Sequence, residues 1–346
     1  MKLVMTLLVR DEADVVDAQI AYHLDVGVDF VVATDNRSQD GTTEILERYE
    51  RDGVLHLIRE PGDDLRQSEW VTRMARLAAT DFGADWILNA DADEFWHPRG
   101  GSFDELFAAV PERFGAVRGA WRTFVPRPDD GRFFAERMTA RLCTPSFLPH
   151  PLSTHFKSAH RARPDVRIGR GNHEALAADL VALRGWYPIE ILHFPVRSLE
   201  QCRRKYVTQF VALERNAEKG IPGHMAEAYD AYRAGQLDAF YAPLVVDDAH
   251  LTAGLEDGTY AIDARLRDAL RRLGRGADGD AEPAEATAAV PPLQEAAVFA
   301  GEVSVLGEAD LGATFGERID ELEHRLVRLE RGPAARARRL AESLRS

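Results

Sequence analysis

An alternation of short apolar runs with helical patterns across residues 1–91 is the feature that most constrains the fold. The apolar runs are rich in Val, Leu and Ile, which is typical of strands buried on both faces. Such an alternation indicates a parallel sheet covered by helices, which binds ligands at the carboxyl ends of its strands. We therefore predict an α/β fold with a mostly parallel sheet. The predicted strands are 2–9, 30–34, 54–59 and 86–88, and the predicted helices are 14–26, a segment with Ile45, Leu46 and Tyr49, and 67–82.

Three carboxylates, Asp91, Asp93 and Glu94, follow the fourth predicted strand. Carboxylates repel one another and are costly to desolvate, so their grouping at a strand end suggests a hard divalent cation, Mg²⁺ or Mn²⁺. Alternate residues of an extended backbone point to the same side, so Asp91 and Asp93 can face one ion. The competing interpretation is a solvated acidic turn. The surrounding motifs decide between the two.

Three ordered segments carry a resemblance to a known family: LLVRDEADVVDAQIAYHLDVGVD (7–29), VATDNRSQDGTTEILERY (32–49) and NADADEFW (89–96). The second resembles the Asp-Asn-x-Ser-x-Asp-Gly-Thr signature of family 2 glycosyltransferases, and the third resembles their Asp-x-Asp element. The first is similar to a subgroup with an Asn-Glu pair after the first strand, although Asp11 replaces that Asn here. The resemblance covers roughly residues 1–215 and implies a GT-A fold, the Rossmann-like fold of nucleotide-diphospho-sugar transferases.

This resemblance implies roles for individual residues. Asp35 matches the carboxylate that accepts a hydrogen bond from the base, and Arg10 and Asp11 occupy the loop beside the base. Asp91 matches the acid that contacts the ribose or a metal-bound water, and Asp93 matches the acid that binds Mn²⁺ or Mg²⁺ directly. A divalent cation would neutralise the charge that develops on a nucleoside diphosphate as it leaves.

Two further residues complete these expectations for the first half of the chain. Arg73, on the third predicted helix, is an additional candidate for nucleotide binding. Asp40 is interpreted as a cap of the helix that begins near Thr42 rather than as a ligand contact.

The second half of the chain offers candidate metal and phosphate contacts. His193 ends the apolar run 189–192 and is a natural third metal ligand beside Asp91 and Asp93. Basic residues dominate 137–170, which indicates either an anion-binding field or a solvated face. An amphipathic helix is predicted from Arg197 to about Asn216. Its cations are expected to face solvent individually, although one or two of them could hold a diphosphate: Arg197, Arg203, Arg204 and Lys205.

The catalytic base is predicted among three residues. Inverting transfer needs a carboxylate or His to take the proton of the acceptor hydroxyl. Glu174 and His173 lie together in a Gly-rich turn that could cover the site, and Glu94 is the rival beside the metal acids. We predict an inverting, metal-dependent glycosyltransferase that uses a nucleotide-sugar donor and a carbohydrate or other hydroxyl acceptor.

Composition restricts the partners and the location. The net charge of −14 argues against binding to nucleic acid, whose phosphates would be repelled. Two cysteines suggest no disulfide framework and suit a reducing compartment. The first residues lead straight into the sheet, so no signal peptide is expected, and no run reaches the roughly 20 apolar residues of a transmembrane helix. We expect a cytoplasmic protein, peripheral to the membrane if its acceptor is membrane-associated.

Four regions are predicted along the chain: a catalytic domain (1–220), a helical extension (221–275), an acidic flexible linker (276–312) and a C-terminal helix (313–346). The linker combines many acids, Pro and Ala. The last helix carries two heptads, so it either forms a short coiled coil that dimerises the protein or packs on its own domain.

Three alternative functions remain open from the sequence. A sugar nucleotidyltransferase should carry a Gly-rich, basic phosphate loop after its first strand, which residues 8–11 lack. A phosphatase with an Asp nucleophile places its Asp-x-Asp after the first strand rather than the fourth. A noncatalytic module that binds nucleotide sugars would keep the fold without turnover.

Overall fold

The structure is a computed structural model that describes residues 1–62, 66–143, 156–214 and 223–275. The chain divides into two compact units, Met1–Glu295 and Ala296–Ser346, and the described residues belong to the first. The predicted linker (276–312) and C-terminal helix (313–346) lie outside the described residues. Within the described ranges, no helix has both the length and the hydrophobicity needed to cross a bilayer.

The alternation predicted for the first part of the chain is confirmed. Four parallel strands lie in the order β3-β2-β1-β4, with a helix in each connection. The elements are β1 (Leu3–Val9), α1 (Val16–Asp25), β2 (Phe30–Asp35), α2 (Thr42–Arg51), β3 (Leu55–Arg59), α3 (Gln67–Thr80) and β4 (Trp86–Asp91).

The second half continues the same sheet in the order β4-β8-β6-β12-β5. Strand β8 runs antiparallel to both of its neighbours, whereas β6 and β12 are parallel to each other. The elements are β5 (Glu94–Pro98), α4 (Phe103–Ala108), β6 (Ala116–Thr123), α5 (Phe134–Arg137), β7 (Ala140–Leu142), β8 (Phe156–Arg161), β9 (Arg167–Ile168), a 3₁₀ turn (Arg170–Asn172), β10 (Ala175–Leu176), β11 (Ala182–Leu183), β12 (Ile189–His193) and α6 (Leu199–Glu214).

The predicted helical extension contains helices and one strand. Strand β13 pairs with β7, and Leu266 and Leu270 of α10 pack in the same hydrophobic core as β1. The division at residue 220 stays a prediction. The elements are α7 (Gly223–Arg233), α8 (Leu237–Tyr241), a 3₁₀ turn (Ala242–Leu244), α9 (Asp248–Glu256), β13 (Tyr260–Ile262) and α10 (Arg265–Arg272).

Strand β1 is buried on both faces, as its apolar sequence predicts. Leu3, Met5 and Leu7 pack in the larger core on one face, while Val4 packs on the other face against α3, where Met74 is fully buried. Because side chains alternate along a strand, a run with little polar content fits this two-sided environment. The fold class predicted from the sequence, α/β with a mostly parallel sheet and flanking helices, is confirmed.

The strand register brings the candidate residues to one edge of the sheet. Asp35 pairs with Val9 across β1 and β2, and Asp91 pairs with Leu8 across β1 and β4. Two interstrand spacings separate Asp35 from Asp91, which places their backbones about 10 Å apart. The carboxyl ends of β1, β2 and β4 therefore form one polar edge.

Candidate active site

The loops after β1 and β2 are joined by polar contacts around Asp35. This carboxylate is buried and accepts hydrogen bonds from the Ser38 backbone N–H (3.0 Å) and the Thr43 hydroxyl (2.5 Å). Asp11, at φ 56°, accepts a hydrogen bond from the Gln39 N–H at 2.7 Å. The two loops thus form one ordered wall with Asp35 at its base.

Both of the predicted basic nucleotide contacts lie beside this wall. Arg10 donates from Nη1 to the Asn36 side-chain oxygen at 3.3 Å. Arg73 pairs with Glu60 at 2.6 Å, and the Glu60 N–H donates to the Asp35 carbonyl at 2.9 Å. Arg10, Asp11, Asp35 and Arg73 are therefore grouped around the end of β2.

Asp40 contributes to the start of α2, as predicted, although Gly41 occupies the N-cap position. Its carboxylate accepts hydrogen bonds from the Thr42 N–H (3.1 Å) and hydroxyl (2.6 Å). It also accepts from the Ala13 N–H and from Arg204, each at 3.0 Å. Asp40 thereby connects the loops after β1 and β2 to helix α6.

Lys157 on β8 lies between two of the three motif carboxylates. Its ammonium is 2.7 Å from Asp91 and 2.9 Å from Glu94, and its side chain is 1% exposed. Burial alone would lower the pKa of Lys157, but these two carboxylates hold it above its ordinary value. Burial raises the pKa of Glu94 to about 8 despite the neighbouring ammonium. The acid motif is thus partly neutralised from within the protein.

Asp93 lies in a second cluster with His193 and Lys205. Its Oδ2 atom is 2.5 Å from the Lys205 ammonium and 3.8 Å from His193 Nε2. Burial would raise the pKa of Asp93, but Lys205, His193 and Arg197 together hold it well below its usual range. Asp93 is therefore a buried anion between two cationic or metal-ligating side chains.

Trp121 on β6 lies between the two predicted site histidines. Its ring stacks on His193 with the centroids 4.0 Å apart, and the His173 ring lies 6.0 Å away. The register of β6 and β12 accounts for the first contact, because Trp121 pairs with Ile191, two residues before His193. This indole therefore places His173 and His193 around one position.

The Gly-rich turn that carries His173 and Glu174 packs directly against Asp91. Gly171 and Asn172 adopt left-handed conformations, and the Asn172 amide donates to Asp91 at 3.0 Å. His173 Nδ1 is hydrogen-bonded to the Phe156 carbonyl at 2.7 Å. Because a carbonyl only accepts, Nδ1 carries the hydrogen and Nε2 of the neutral ring carries the lone pair. Glu174 lies 3.8 Å from Arg118 and is partly exposed.

Glu94 differs from the other two base candidates in its environment. Its side chain is 1% exposed and is paired with Lys157. It also accepts a hydrogen bond from the Asp91 N–H at 3.2 Å. The Glu94 side chain is therefore held in the protein interior by these contacts and is not available to solvent.

The expected solvent exposure of the cations after His193 is wrong for two of them. Arg197 is 1% exposed and pairs with Glu12 (2.5 Å) and Asp14 (2.7 Å), and Lys205 pairs with Asp93. Arg203 does lie at the surface, where it pairs with Glu200. Arg197 also precedes α6 rather than lying in it. Its partners come from the loop after β1, far away in sequence, so helical periodicity carried no signal for this contact.

The basic residues between 137 and 170 do not form one anion-binding field. Arg141 pairs with Asp263, Arg163 pairs with Asp165, and Arg161 donates to the Phe114 carbonyl. Lys157 is the member of this run that reaches the motif acids. Neither predicted alternative, a shared field or a wholly solvated face, describes these contacts.

The predicted metal ligands are brought together only in part. In the described part of the chain, no group of three or more His, Cys, Asp and Glu side chains has an arrangement that could hold a metal. Asp91 instead contacts Lys157 and Asn172, whereas Asp93 and His193 are neighbours. Mg²⁺ is commonly bound through one or two carboxylates, with substrate phosphates and water completing its shell. Asp93 supplies such a carboxylate, and the His193 imidazole lies beside it.

Comparisons with known proteins give distant similarities in structure alone. No family model matches the chain, and no curated protein sequence matches it. S. aureus TarS 1-349 in complex with UDP-GlcNAc is 12% identical over 80% of this chain and 93% of that chain, with a TM-score of 0.36. Glucosyl-3-phosphoglycerate synthase from Mycobacterium tuberculosis, in complex with Mn²⁺, UDP and phosphoglyceric acid, is 18% identical over 35% of this chain and 43% of that chain, with a TM-score of 0.26.

The match to a longer form of S. aureus TarS covers 43% of that chain and 66% of this one, at 11% identity and a TM-score of 0.33. The chain thus spans less than half the length of this relative.

Proposed function

We propose that the protein is a glycosyltransferase of the family 2 type, which moves a sugar from a nucleoside-diphosphate donor to a hydroxyl acceptor with inversion and with a divalent metal. One observation carries the proposal. Asp35 and Asp91 flank β1 at the same edge of the sheet, and the buried pair of Asp93 and His193 lies in the turn that follows β4 and at the end of β12. That edge is where a parallel α/β sheet binds its ligands.

The loops after β1 and β2 supply the nucleoside end of the site. Asp35 offers a fixed carboxylate to a base N–H, since the Ser38 and Thr43 contacts hold both of its oxygens in place. Each carboxylate oxygen has a second lone pair, so these contacts leave acceptor capacity for a ligand. Arg10 and Arg73 add positive charge beside this loop.

The diphosphate end lies toward Asp91, Asp93 and His193. A divalent cation bound there would supply charge neutralisation to the departing diphosphate. Asp93 and His193 would hold the ion, and Asp91, fixed by Lys157 and Asn172 two residues before Asp93 in the chain, would serve the ribose or a metal-bound water. Lys157 and Lys205 keep this acidic cluster from repelling an anionic ligand.

His173 is the best-placed general base among the three candidates. Its Nδ1 is hydrogen-bonded to a backbone carbonyl, which fixes the ring and directs the basic Nε2 away from that carbonyl. The turn that carries it contacts Asp91 through Asn172, so the imidazole lies beside the donor site. Glu174 stays the second candidate, and the buried pairing of Glu94 with Lys157 argues against the third.

The proposal is tested by isothermal titration of the full chain against UDP, GDP, ADP and CDP, with and without Mn²⁺. We expect one of these diphosphates to bind, with an affinity that rises at least tenfold in Mn²⁺. Asp35→Ala and Asp93→Asn should each weaken that binding at least tenfold, while the exposed Asp165→Asn should not change it. Asp93→Asn should also abolish metal-dependent turnover with the fold intact.

Two outcomes separate this proposal from its alternatives. A protein that binds none of the four diphosphates in either condition would overturn the proposal. Tight binding that needs no metal, without turnover of any nucleotide sugar, would instead identify a noncatalytic binding module.

A further inference from the structure

Lys205 occupies the position beside the candidate metal ligands. Its ammonium donates to Asp93 Oδ2 at 2.5 Å and to the Pro195 carbonyl at 3.3 Å. The same Oδ2 atom is the one that His193 Nε2 approaches, at 3.8 Å. One carboxylate oxygen thus lies between an internal cation and an imidazole that can ligate a metal.

An ion on Asp93 and this ammonium would be close neighbours. Mg²⁺ lies about 2.1 Å from an oxygen ligand, so an ion on Asp93 Oδ2 would be at most about 4.6 Å from the Lys205 ammonium as it now lies. Like charges at this separation in a largely buried site repel strongly, because little water screens them. Lys205 in its present position and a divalent ion therefore exclude each other.

The residue type suits a displaceable cation. Only four of the 43 Lys and Arg residues in the sequence are lysines, and two of the three in the described ranges, Lys157 and Lys205, contact the acid motif. An arginine fork is rigid and bidentate, whereas a lysine is a compact charge on a flexible stem. Among the residues that the structure describes, Lys205 has one carboxylate partner within hydrogen-bonding distance, and its side chain is partly exposed (19%), whereas Lys157 is enclosed between two carboxylates.

We propose that Lys205 is an exchangeable internal cation: it occupies Asp93 in the donor-free protein and moves to the donor's diphosphate when the metal takes its place. This inference rests on the proposed function and deepens it. The diphosphate would give the Lys205 ammonium a new anionic partner when the metal binds to Asp93. Metal and donor then bind with positive coupling, which is reciprocal by linkage.

The test measures Mn²⁺ binding to the full chain by isothermal titration, without nucleotide and with saturating UDP. In the wild-type protein, we expect weak Mn²⁺ binding without nucleotide and at least tenfold tighter binding with UDP. In Lys205→Met, the competitor is absent, so donor-free Mn²⁺ should bind at least tenfold more tightly. UDP should bind this variant at least tenfold more weakly in Mn²⁺, because the diphosphate loses its ammonium partner.

Two variants control the interpretation. Lys205→Arg keeps a positive charge near Asp93 and should leave donor-free Mn²⁺ binding weak. Lys2→Met removes an equal charge outside the site and should reproduce the wild-type affinities. Circular dichroism of each variant confirms folding. If Lys205→Met does not fold, the wild-type comparison still decides, because Mn²⁺ binding that is equally tight with and without UDP overturns the inference.

Failure of this inference is distinguishable from failure of the proposed function. If UDP and Mn²⁺ bind to wild type and to Lys205→Met with the same affinities, the exchange is wrong while the donor site stands. If no nucleoside diphosphate binds to the wild-type protein, the proposed function fails. The nucleotide-free Mn²⁺ titrations of wild type and Lys205→Met then still test the competition at Asp93, and equal affinities overturn it.

Discussion

Replacing Arg197 by methionine removes a buried guanidinium that holds the loop after β1 against the end of β12. Arg197 donates to both oxygens of Asp14, at 2.7 and 3.1 Å, to Glu12 at 2.5 Å and to the Phe194 carbonyl at 3.2 Å. Methionine preserves much of the apolar stem but leaves both carboxylates without this cation. Because Glu12 and Asp14 follow the candidate base-contacting residues Arg10 and Asp11, the same change should disorder the nucleoside end of the site.

The expected loss of stability follows from the burial of the two acids. Breaking a buried ion pair by removing one partner costs about 3–5 kcal/mol, out of a total of about 5–15 kcal/mol for a typical protein. Asp14 is 32% exposed and can be hydrated, whereas Glu12 is 12% exposed, so Glu12 accounts for most of the penalty. Burial raises the pKa of Glu12 to about 7 even though Arg197 opposes the shift.

The pH dependence of this penalty has a definite sign. Without Arg197, the pKa of folded Glu12 rises further above its unfolded value of 4.5. An acid with a raised folded pKa destabilises the protein fully above that pKa, and the penalty shrinks as the pH falls from there toward the unfolded pKa. The Arg197→Met variant should therefore be closer to wild type at about pH 6 than at about pH 8.

Urea unfolding followed by circular dichroism measures the effect. Arg197→Met should lose about 3–5 kcal/mol at about pH 8, and adding Glu12→Gln should recover at least about 1 kcal/mol, because it removes the stranded charge. Arg59→Met, which breaks an ion pair exposed on both sides, should change stability by no more than about 0.5 kcal/mol. A loss of stability below about 1 kcal/mol in Arg197→Met would refute this account of the contact. A double variant that is less stable than Arg197→Met alone, so that the two losses add, would refute it as well.

Three further predictions concern a buried histidine, a strained turn and an indole. Burial lowers the pKa of His23 from 6.5 to about 4. Its full stabilising contribution is therefore present above pH 6.5, and up to about 3 kcal/mol of stability is lost as the pH falls toward 4. His23→Gln should flatten this loss of stability at acid pH in urea titrations, and an unchanged slope would contradict the prediction. Gly171→Ala should displace His173, because the added Cβ would lie 2.6 Å from His173 Nε2. Donor turnover should then fall well below that of Gly235→Ala, a control glycine with a similar φ but open space around it. Equal rates in the two variants would count against His173 as the general base. Mn²⁺ bound at His193 should quench the fluorescence of Trp121, whose ring stacks on that imidazole. Trp121→Phe should lose the Trp121 contribution to the quenching. Identical quenching in the wild type and in Trp121→Phe would place the ion elsewhere.

The arrangement of the first four strands was predictable because its signals are local. Each apolar run or helical period is contained within a few residues, and the rule that parallel strands present their carboxyl ends together then places Asp35 and Asp91 on either side of β1. Even here the boundaries shift. Strand β4 extends to Asp91, so the first acid ends the strand rather than following it.

The partners of the acids were not predictable from local patterns. Lys157 belongs to β8, an antiparallel strand inserted between β4 and β6, and its contact with Asp91 spans 66 positions along the chain. Arg197 contacts Glu12 across 185 positions. Such contacts depend on strand order and register, which hydrophobic periodicity does not encode.

The burial of Arg197 and the partial burial of Lys205 were unpredictable for the same reason, the dependence on distant contacts. Arg and Lys are mostly exposed in proteins, so solvent exposure was the reasonable expectation for Arg197 and Lys205. Arg197 is buried and Lys205 is only partly exposed because each meets a carboxylate that is distant in sequence, and a charge removed from water needs such a partner. A surplus of acids at the ends of β1, β2 and β4 was a sign that cations from elsewhere would be needed there.

Release of a nucleoside diphosphate from a nucleotide sugar tests the central claim most directly. The full-length protein is incubated with a library of nucleotide sugars, Mn²⁺ and a mixture of hydroxyl acceptors, and mass spectrometry follows both the nucleotide and the glycosylated product. We predict release of one nucleoside diphosphate together with a new glycoside, and loss of both products in Asp93→Asn. Turnover of no donor by the wild-type protein, or undiminished turnover in Asp93→Asn, would contradict the account.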